Sequence, residues 1–383
     1  MSANVDWDFA RSVAERVAGQ DSFGESYHMA TLEADLLELT TQAEALVEAE
    51  TGLISTAGPA RARVADRMGW VDANLASFER LMKPLLSKLA DASEESDDEA
   101  DVAAEPKNPA FEVVGELLAP VGKAFGAVGD AVGPKVAGLQ LGLLLGWMSA
   151  RVLGQYDLLI AEDDNPDEQD WVYYVGPNVL ALERRYGFPP QEFRLWIAVH
   201  ECTHRAQFTG VPWLRDYFLS LVNELLDDVD PDPGRLFDVI SEHIKELRDG
   251  NRPDLKDGGL SVLLASPEQK ATMAKVAGLM SLLEGHGDII MDRATKDLVP
   301  SQARFSRVMS QRRKNAGGLT KLVQRLTGME AKLAQYEEGE EFVRAVEAAG
   351  GKELFDKVWT SPETLPTIDE IREPQLWIDR MAD

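Results

Sequence analysis

Ala198-Val199-His200-Glu201-Cys202-Thr203-His204-Arg205-Ala206-Gln207 is the stretch around which the chain is organised. It contains His-Glu-x-x-His, the pattern of a zinc-hydrolase helix. Positions four apart share one helix face, about 6 Å apart along the axis. His200 and His204 can therefore direct imidazole nitrogens at a single ion. Glu201 lies about 100° round from His200, close enough to reach a water at that ion without ligating it. Pro189-Pro190 suit a first helical turn, and Phe193, Trp196, Ile197 and Val199 supply apolar faces that bury the helix. Histidine is scarce, five in 383 residues, so two at this spacing weigh more than the short pattern alone. The competing reading is a pair of core histidines satisfied by hydrogen bonds. Cys202, two positions from His200, points away from the metal face and reads as a packing residue.

Composition narrows the class. A hydrophobic content of 44% with 27% charged residues is that of a water-soluble globular chain, in one large domain or two. The net charge of -27 argues against nucleic acid or an anionic membrane as partner, because both repel an acidic surface. The single cysteine excludes an intrachain disulfide and fits a reducing compartment. The acidic start Met-Ser-Ala-Asn-Val-Asp-Trp-Asp has no basic region followed by an apolar stretch, so no secretory signal is expected and the location reads as cytoplasmic.

Away from the histidines the pattern is mostly helical. Residues 5–18, 30–50 and 60–90 have apolar spacing near 3.6. Residues 91–109 carry Asp91, Glu94, Glu95, Asp97, Asp98, Glu99, Asp101 and Glu105 with no apolar cluster, and read as a disordered surface loop. Residues 110–135, rich in Gly, Ala and Val, read as a loose connection. Gly138, Gly142, Gly146, Ala150 and Gly154 then form a stripe of small residues. The apolar run is too short to span a membrane, so the stripe predicts a helix closely approached by another, with the metal helix as the expected partner. Trp171–Val175 is the best strand, and its edge could pair with an extended substrate. Ser266-Pro267-Glu268-Gln269 has the form of a capping box opening a long helix, and Thr367-Ile368-Asp369-Glu370 another. Arg304, Arg307, Arg312, Arg313 and Lys314 form the one basic cluster, read as a solvated helix end.

The long helix supplies the second half of the site. Met273, Val276, Ala277, Met280 and Leu283 lead along an apolar stripe to Glu284, with Asp288 and Asp292 following at four-residue intervals. A carboxylate facing a core is costly unless paired or on a metal. A catalytic zinc takes three protein ligands. Position 207 is Gln and 210 is Gly, so the extended pattern with a third histidine is missing and the third ligand comes from elsewhere. Glu284 is the first choice. Asp288 could accept the outer N–H of a ligand histidine and fix its tautomer. His286 is the alternative ligand, if Gly285 and Gly287 distort the helix.

Glu-x-x-x-Asp following His-Glu-x-x-His resembles the gluzincin arrangement, in which Glu is the third ligand and Asp orients a histidine. Several stretches resemble an actinobacterial family of zincin-like zinc-dependent metallopeptidases. They are Gly-Trp-Val-Asp-Ala-Asn-Leu-Ala-Ser-Phe (69–78), Arg-Val-Leu-Gly-Gln-Tyr-Asp (151–157), Val-Gly-Pro-Asn (175–178), residues 193–204, Glu-Gly-His-Gly-Asp (284–288) and Val-Trp-Thr-Ser-Pro-Glu (358–363). Some relatives carry labels linking them to biosynthesis of a deazaflavin coenzyme. The resemblance implies a mainly α, zincin-like metallopeptidase core with a small β element and additional helices, and a hydrolase activity. On this reading residues 1–90 are an N-terminal helical region, 91–109 the acidic loop, and 110–383 a zincin-like catalytic region with C-terminal helices; 1–90 could also be continuous with it.

The expected function is zinc-dependent hydrolysis of a peptide or protein. Zn²⁺ is held by His200, His204 and Glu284, and Glu201 is the general base toward a zinc-activated water. Tyr173, Tyr174, His243, His286 and Arg205 are all candidates for stabilising the oxyanion. The alternative is a zincin-like metal-binding protein with little catalysis, acting as a binding or assembly partner.

Overall fold

The computed structural model describes residues 5–20, 23, 26–97, 132–158, 170–227, 266–314 and 329–382. The fold is mainly α, with one small sheet. Helix α1 (Trp7–Ala18) opens on Asp6, whose carboxylate accepts the Phe9 N–H. Helix α2 (Tyr27–Thr51) closes on Gly52 in the left-handed conformation. Strand β1 (Arg61–Ala65) and helix α3 (Arg67–Asp97) follow. Residues 61–65 thus correct the helical reading of 60–90. Their alternation is too brief to stand out, and their partner strand lies far along the chain, so no local signal announces them. Helix α3 continues through 91–97 of the acidic stretch; 98–109 lie outside the described residues.

Strands β2 (Gly154–Tyr156) and β3 (Trp171–Val175) complete a sheet of order β1-β3-β2. Strand β1 pairs parallel with β3, Arg61 opposite Trp171, and β2 pairs antiparallel, Gln155 opposite Tyr173. Both edges of β3 are therefore taken, which corrects the expectation that a substrate could pair with Trp171–Val175. The outward edge on the antiparallel side belongs to β2. Val175 donates to the Leu153 carbonyl and Asp157 to that of Trp171. By the antiparallel alternation, the backbone groups of Gly154 and Tyr156 then point away from β3.

Helix α4 (Val132–Ser149) carries the glycine stripe, but its partner is α1, not the metal helix. A Cβ at Gly138, Gly142 or Gly146 would lie 2.6, 2.3 or 2.6 Å from the carbonyl oxygens of Asp6, Ala10 and Ala14 respectively. The stripe ends with the helix, and Gly154 belongs to β2 instead. Spacing showed that a backbone comes close; it carried no information about which one.

Helices α5 (Gly176–Tyr186) and α6 (Pro190–Gly210) lead into α7 (Leu214–Asp227). Helix α8 (Pro267–Ala294) starts with the expected capping box, Ser266 and Gln269 bonding each other's backbone N–H. Helix α9 (Gln302–Lys314) precedes α10 (Met329–Phe355), which breaks at Gly350 and Gly351. The short α11 (Ile368–Arg372), capped by Thr367 and Glu370 as expected, and α12 (Pro374–Ala382) end the chain. Arg304 donates to the Tyr186 and Gly187 carbonyls, so this member of the basic cluster caps α5. No helix among the described residues is long and apolar enough to cross a membrane.

Three apolar clusters build the interior. One joins α2, the sheet, α5 and α6 through Leu36, Val172, Tyr174, Phe193 and Val199. A second joins α7, α8 and α10 to the C-terminal helices through Leu282, Leu283, Phe342 and Trp377. A third sits among α1, α3 and α4 around Trp70 and Leu145. The two histidines lie where α6 of the first cluster meets α8 of the second.

Helix α6 is also held by two buried ion networks. Arg194 makes a forked pair with Glu183, both contacts at 2.8 Å, and a further bond to Asp35. Arg205 bonds Asp170 and Glu44, and donates to the Gly58 carbonyl at 2.7 Å. Forked guanidinium–carboxylate bonding satisfies the buried charge that burial alone would penalise. Cys202 is buried with Sγ 3.7 Å from the Thr40 carbonyl oxygen, in keeping with a packing role.

Candidate metal centre

His200 and His204 project from α6 with ring planes nearly perpendicular and Nε2 atoms 3.1 Å apart. Glu284 reaches in from α8, its Oε2 3.8 Å from His200 Nε2 and 3.6 Å from His204 Nε2. These three are the one group of metal-ligating side chains converging in this way among the described residues. The triangle can be tested against a metal. Four ligands about 2.0–2.1 Å from a tetrahedral Zn²⁺ stand about 3.3–3.4 Å apart. The three edges straddle that value, and two nitrogens with one carboxylate oxygen is a donor set that zinc accepts. The residues fit the ion.

Glycines let the two helices come this close. A Cβ at Gly287 would lie 3.2 Å from His204 Cε1 and 3.5 Å from His200 Cε1, so α8 presents bare backbone to both imidazoles. On its other side, a Cβ at Gly285 would lie 2.2 Å from the Gly339 carbonyl carbon of α10. Gly285 and Gly287 therefore thin α8 on two sides rather than distort it, and the helix runs unbroken through His286.

That continuity keeps His286 out of the cluster. Its ring is buried, stacked on Phe355 at 5.3 Å, and Nδ1 lies 2.9 Å from Gln207 Nε2. Burial, with help from the His204, Lys352 and Arg293 charges, pushes its pKa down to about 3, so it stays neutral. Asp288 Oδ1 stands 3.6 Å from His200 Nδ1, on the outer side of that ring. Asp292 does not join the cluster. Burial and then the Glu340 charge raise its pKa.

Glu201 is buried beside the triangle. Burial first, then Glu284, lift its pKa to about 7, against the opposing pull of His204 and an N–H donated by Tyr156. Gly154 covers the same carboxylate: a Cβ there would lie 2.6 Å from Glu201 Oε1. Burial works against the proton on His204, but Glu284, Glu201 and Gln207 together raise its pKa to about 9.

The candidate oxyanion groups fare differently. The Tyr174 hydroxyl is in the core, 2.8 Å from Thr40 Oγ1, Arg205 is occupied by its acids, and the Tyr173 hydroxyl meets Arg63 at 3.3 Å. His286 is behind His204, and His243 lies outside the described residues. Three neighbours escaped the sequence reading: Gln207, Gly154 and Tyr156. Gln207 has a local signal, since it lies three residues beyond His204 on the same helix. The other two meet Glu201 through tertiary packing that no spacing reports.

The family model described as "Zincin-like metallopeptidase" matches residues 5–378. The chain belongs to that family. A solved structure from Chloroflexus aurantiacus, that of a proposed hydrolase described as having a novel fold, is similar to this zincin-like chain at 30% identity and a TM-score of 0.67. The alignment covers 99% of each chain. A search of curated proteins gave no match.

Proposed function

We propose that this zincin-like chain is a zinc-dependent hydrolase that cleaves peptide bonds, with His200, His204 and Glu284 holding the ion. One observation carries the reading: three ligand atoms 3.1 to 3.8 Å apart, with a buried carboxylate whose pKa is near 7 beside them. When bound, Zn²⁺ supplies Lewis acidity, lowering the pKa of a water and polarising a scissile carbonyl. Glu201 takes the water's proton on its carboxylate and delivers it to the leaving amine. Tyr156 N–H and the bare backbone at Gly154 hold the Glu201 carboxylate in place. The outward edge of β2 offers the backbone of Gly154 to an extended substrate, beside Glu201.

Two measurements test the proposal. Untagged protein should carry close to one equivalent of zinc, and less than about a tenth would sink the metal reading. Glu201→Gln should retain the zinc yet lose hydrolysis of a diverse peptide mixture read by mass spectrometry. Identical products from wild type and variant would assign the activity elsewhere. Zinc without any hydrolysis by the wild type would favour a binding or assembly role.

A further inference from the structure

Gln207 is wholly buried on α6, one turn beyond His204. Its side-chain nitrogen lies 3.0 Å from the Leu283 carbonyl oxygen and 2.9 Å from His286 Nδ1; its oxygen lies 3.0 Å from His204 Nδ1. The Leu283 carbonyl can only accept, so it decides which end of the amide is the nitrogen. The oxygen then faces His204 and can itself only accept. His204 Nδ1 must therefore carry a proton, so that the neutral ring, once its second proton is lost, has its lone pair on Nε2. By the same logic His286 Nδ1 accepts, and its ring proton sits on Nε2.

We infer that Gln207 is a positioning residue that sets the tautomer and aim of His204, with Leu283 and His286 locking its amide. The inference rests on His200, His204 and Glu284 being the metal cradle. Gln207 touches neither ion nor substrate; it acts by turning the His204 Nε2 lone pair toward Glu284 Oε2 and His200 Nε2. The lock is anchored in the second apolar cluster, because the His286 ring is held between Phe355 and Trp359, centroids 5.3 Å away in both cases. A rotated amide would set its oxygen against the Leu283 oxygen, two acceptors in contact, so the orientation is determined by the fold and not by the ion.

The test uses full-length wild type, Gln207→Leu and Gln207→Glu. In wild-type protein labelled with ¹⁵N-histidine and loaded with ¹¹³Cd, His204 should show metal coupling at Nε2 and a proton on Nδ1. Zinc affinity, read by chelator competition, should fall about 10- to 100-fold in Gln207→Leu. Gln207→Glu keeps an acceptor facing Nδ1 only with its second oxygen protonated to donate to the Leu283 carbonyl, the form that burial favours; it should bind zinc more tightly than Gln207→Leu and more weakly than wild type. Coupling through Nδ1, or Gln207→Leu binding zinc as tightly as wild type, would overturn the inference. If Gln207→Leu does not fold, the wild-type spectrum decides alone. If wild type binds no metal, the cradle reading fails separately, and the ¹⁵N spectrum of the metal-free protein above about pH 10, where imidazole is neutral, still reads the tautomer. A proton on Nε2 there overturns the inference.

Discussion

Among the described residues, two of the helix crossings that depend on glycine do different work. At the α1–α4 crossing, Gly138, Gly142 and Gly146 recur every four residues and admit the α1 backbone along a whole face. At α8, Gly285 and Gly287 are two residues apart, so they face different ways, one toward α10 and one toward the imidazoles of α6. The first arrangement brings two helices together over their length. The second places a thin point of one helix between two others, and that point is where Glu284 meets the histidines. Periodic glycine marks a packing seam; an aperiodic pair marks a place where three elements must converge.

Gly285→Ala places a Cβ 2.2 Å from backbone that cannot swing aside, and the only gain is about 1 kcal/mol of helix propensity. We expect a net loss of about 2–3 kcal/mol in denaturant unfolding, together with loss of zinc binding. Normal zinc affinity in that variant would show that α10 and the site are uncoupled.

The second difference between the crossings is charge. Metal must displace the proton on His204, whose pKa in the metal-free protein is raised to about 9. Below that value the proton competes, so zinc affinity should rise with pH. The gain should be about tenfold per unit between pH 7 and 9, flattening above. A flat profile over that window would mean Glu284 and Glu201 do not hold the proton there.

Gly142→Ala overlaps the Ala10 carbonyl oxygen at 2.3 Å and should cost about 1–2 kcal/mol of stability with zinc affinity unchanged. A parallel fall in affinity would erase the distinction between seam and site. Gly287→Ala is the gentlest and the most selective. Its Cβ meets His204 at 3.2 Å, tight but yielding, so stability should hardly change while zinc affinity falls about tenfold.

How much of this was legible in the residues follows from range. His200, His204 and Glu201 share one helix, and the four-residue period states their geometry outright. The capping boxes at Ser266 and Thr367 are equally local, and both formed. Glu284 could be named because a carboxylate at the end of an apolar stripe needs a reason to be there. Strand β1 could not, since its pairing with β3 crosses more than a hundred residues. The partner of the α4 stripe was likewise invisible: small residues report that something comes near, and only the assembled core says what. Gly154 and Tyr156 illustrate the same limit, for their role exists only once β2 lies over Glu201.

The two arginines of α6 carry one more consequence. Arg194 and Arg205 are eleven residues apart, about three turns, so they lie almost in line along the helix and about 16 Å from each other. Each is gripped by acids on other elements, Glu183 and Asp35 at one end and Glu44 and Asp170 at the other. A rod fastened twice along one side cannot spin, so the compass bearing of both imidazoles is settled before any ion arrives. Any adjustment to the radius of a bound ion would then come from the opposite bank, from the Glu284 carboxylate and the glycine-thinned backbone that bears it.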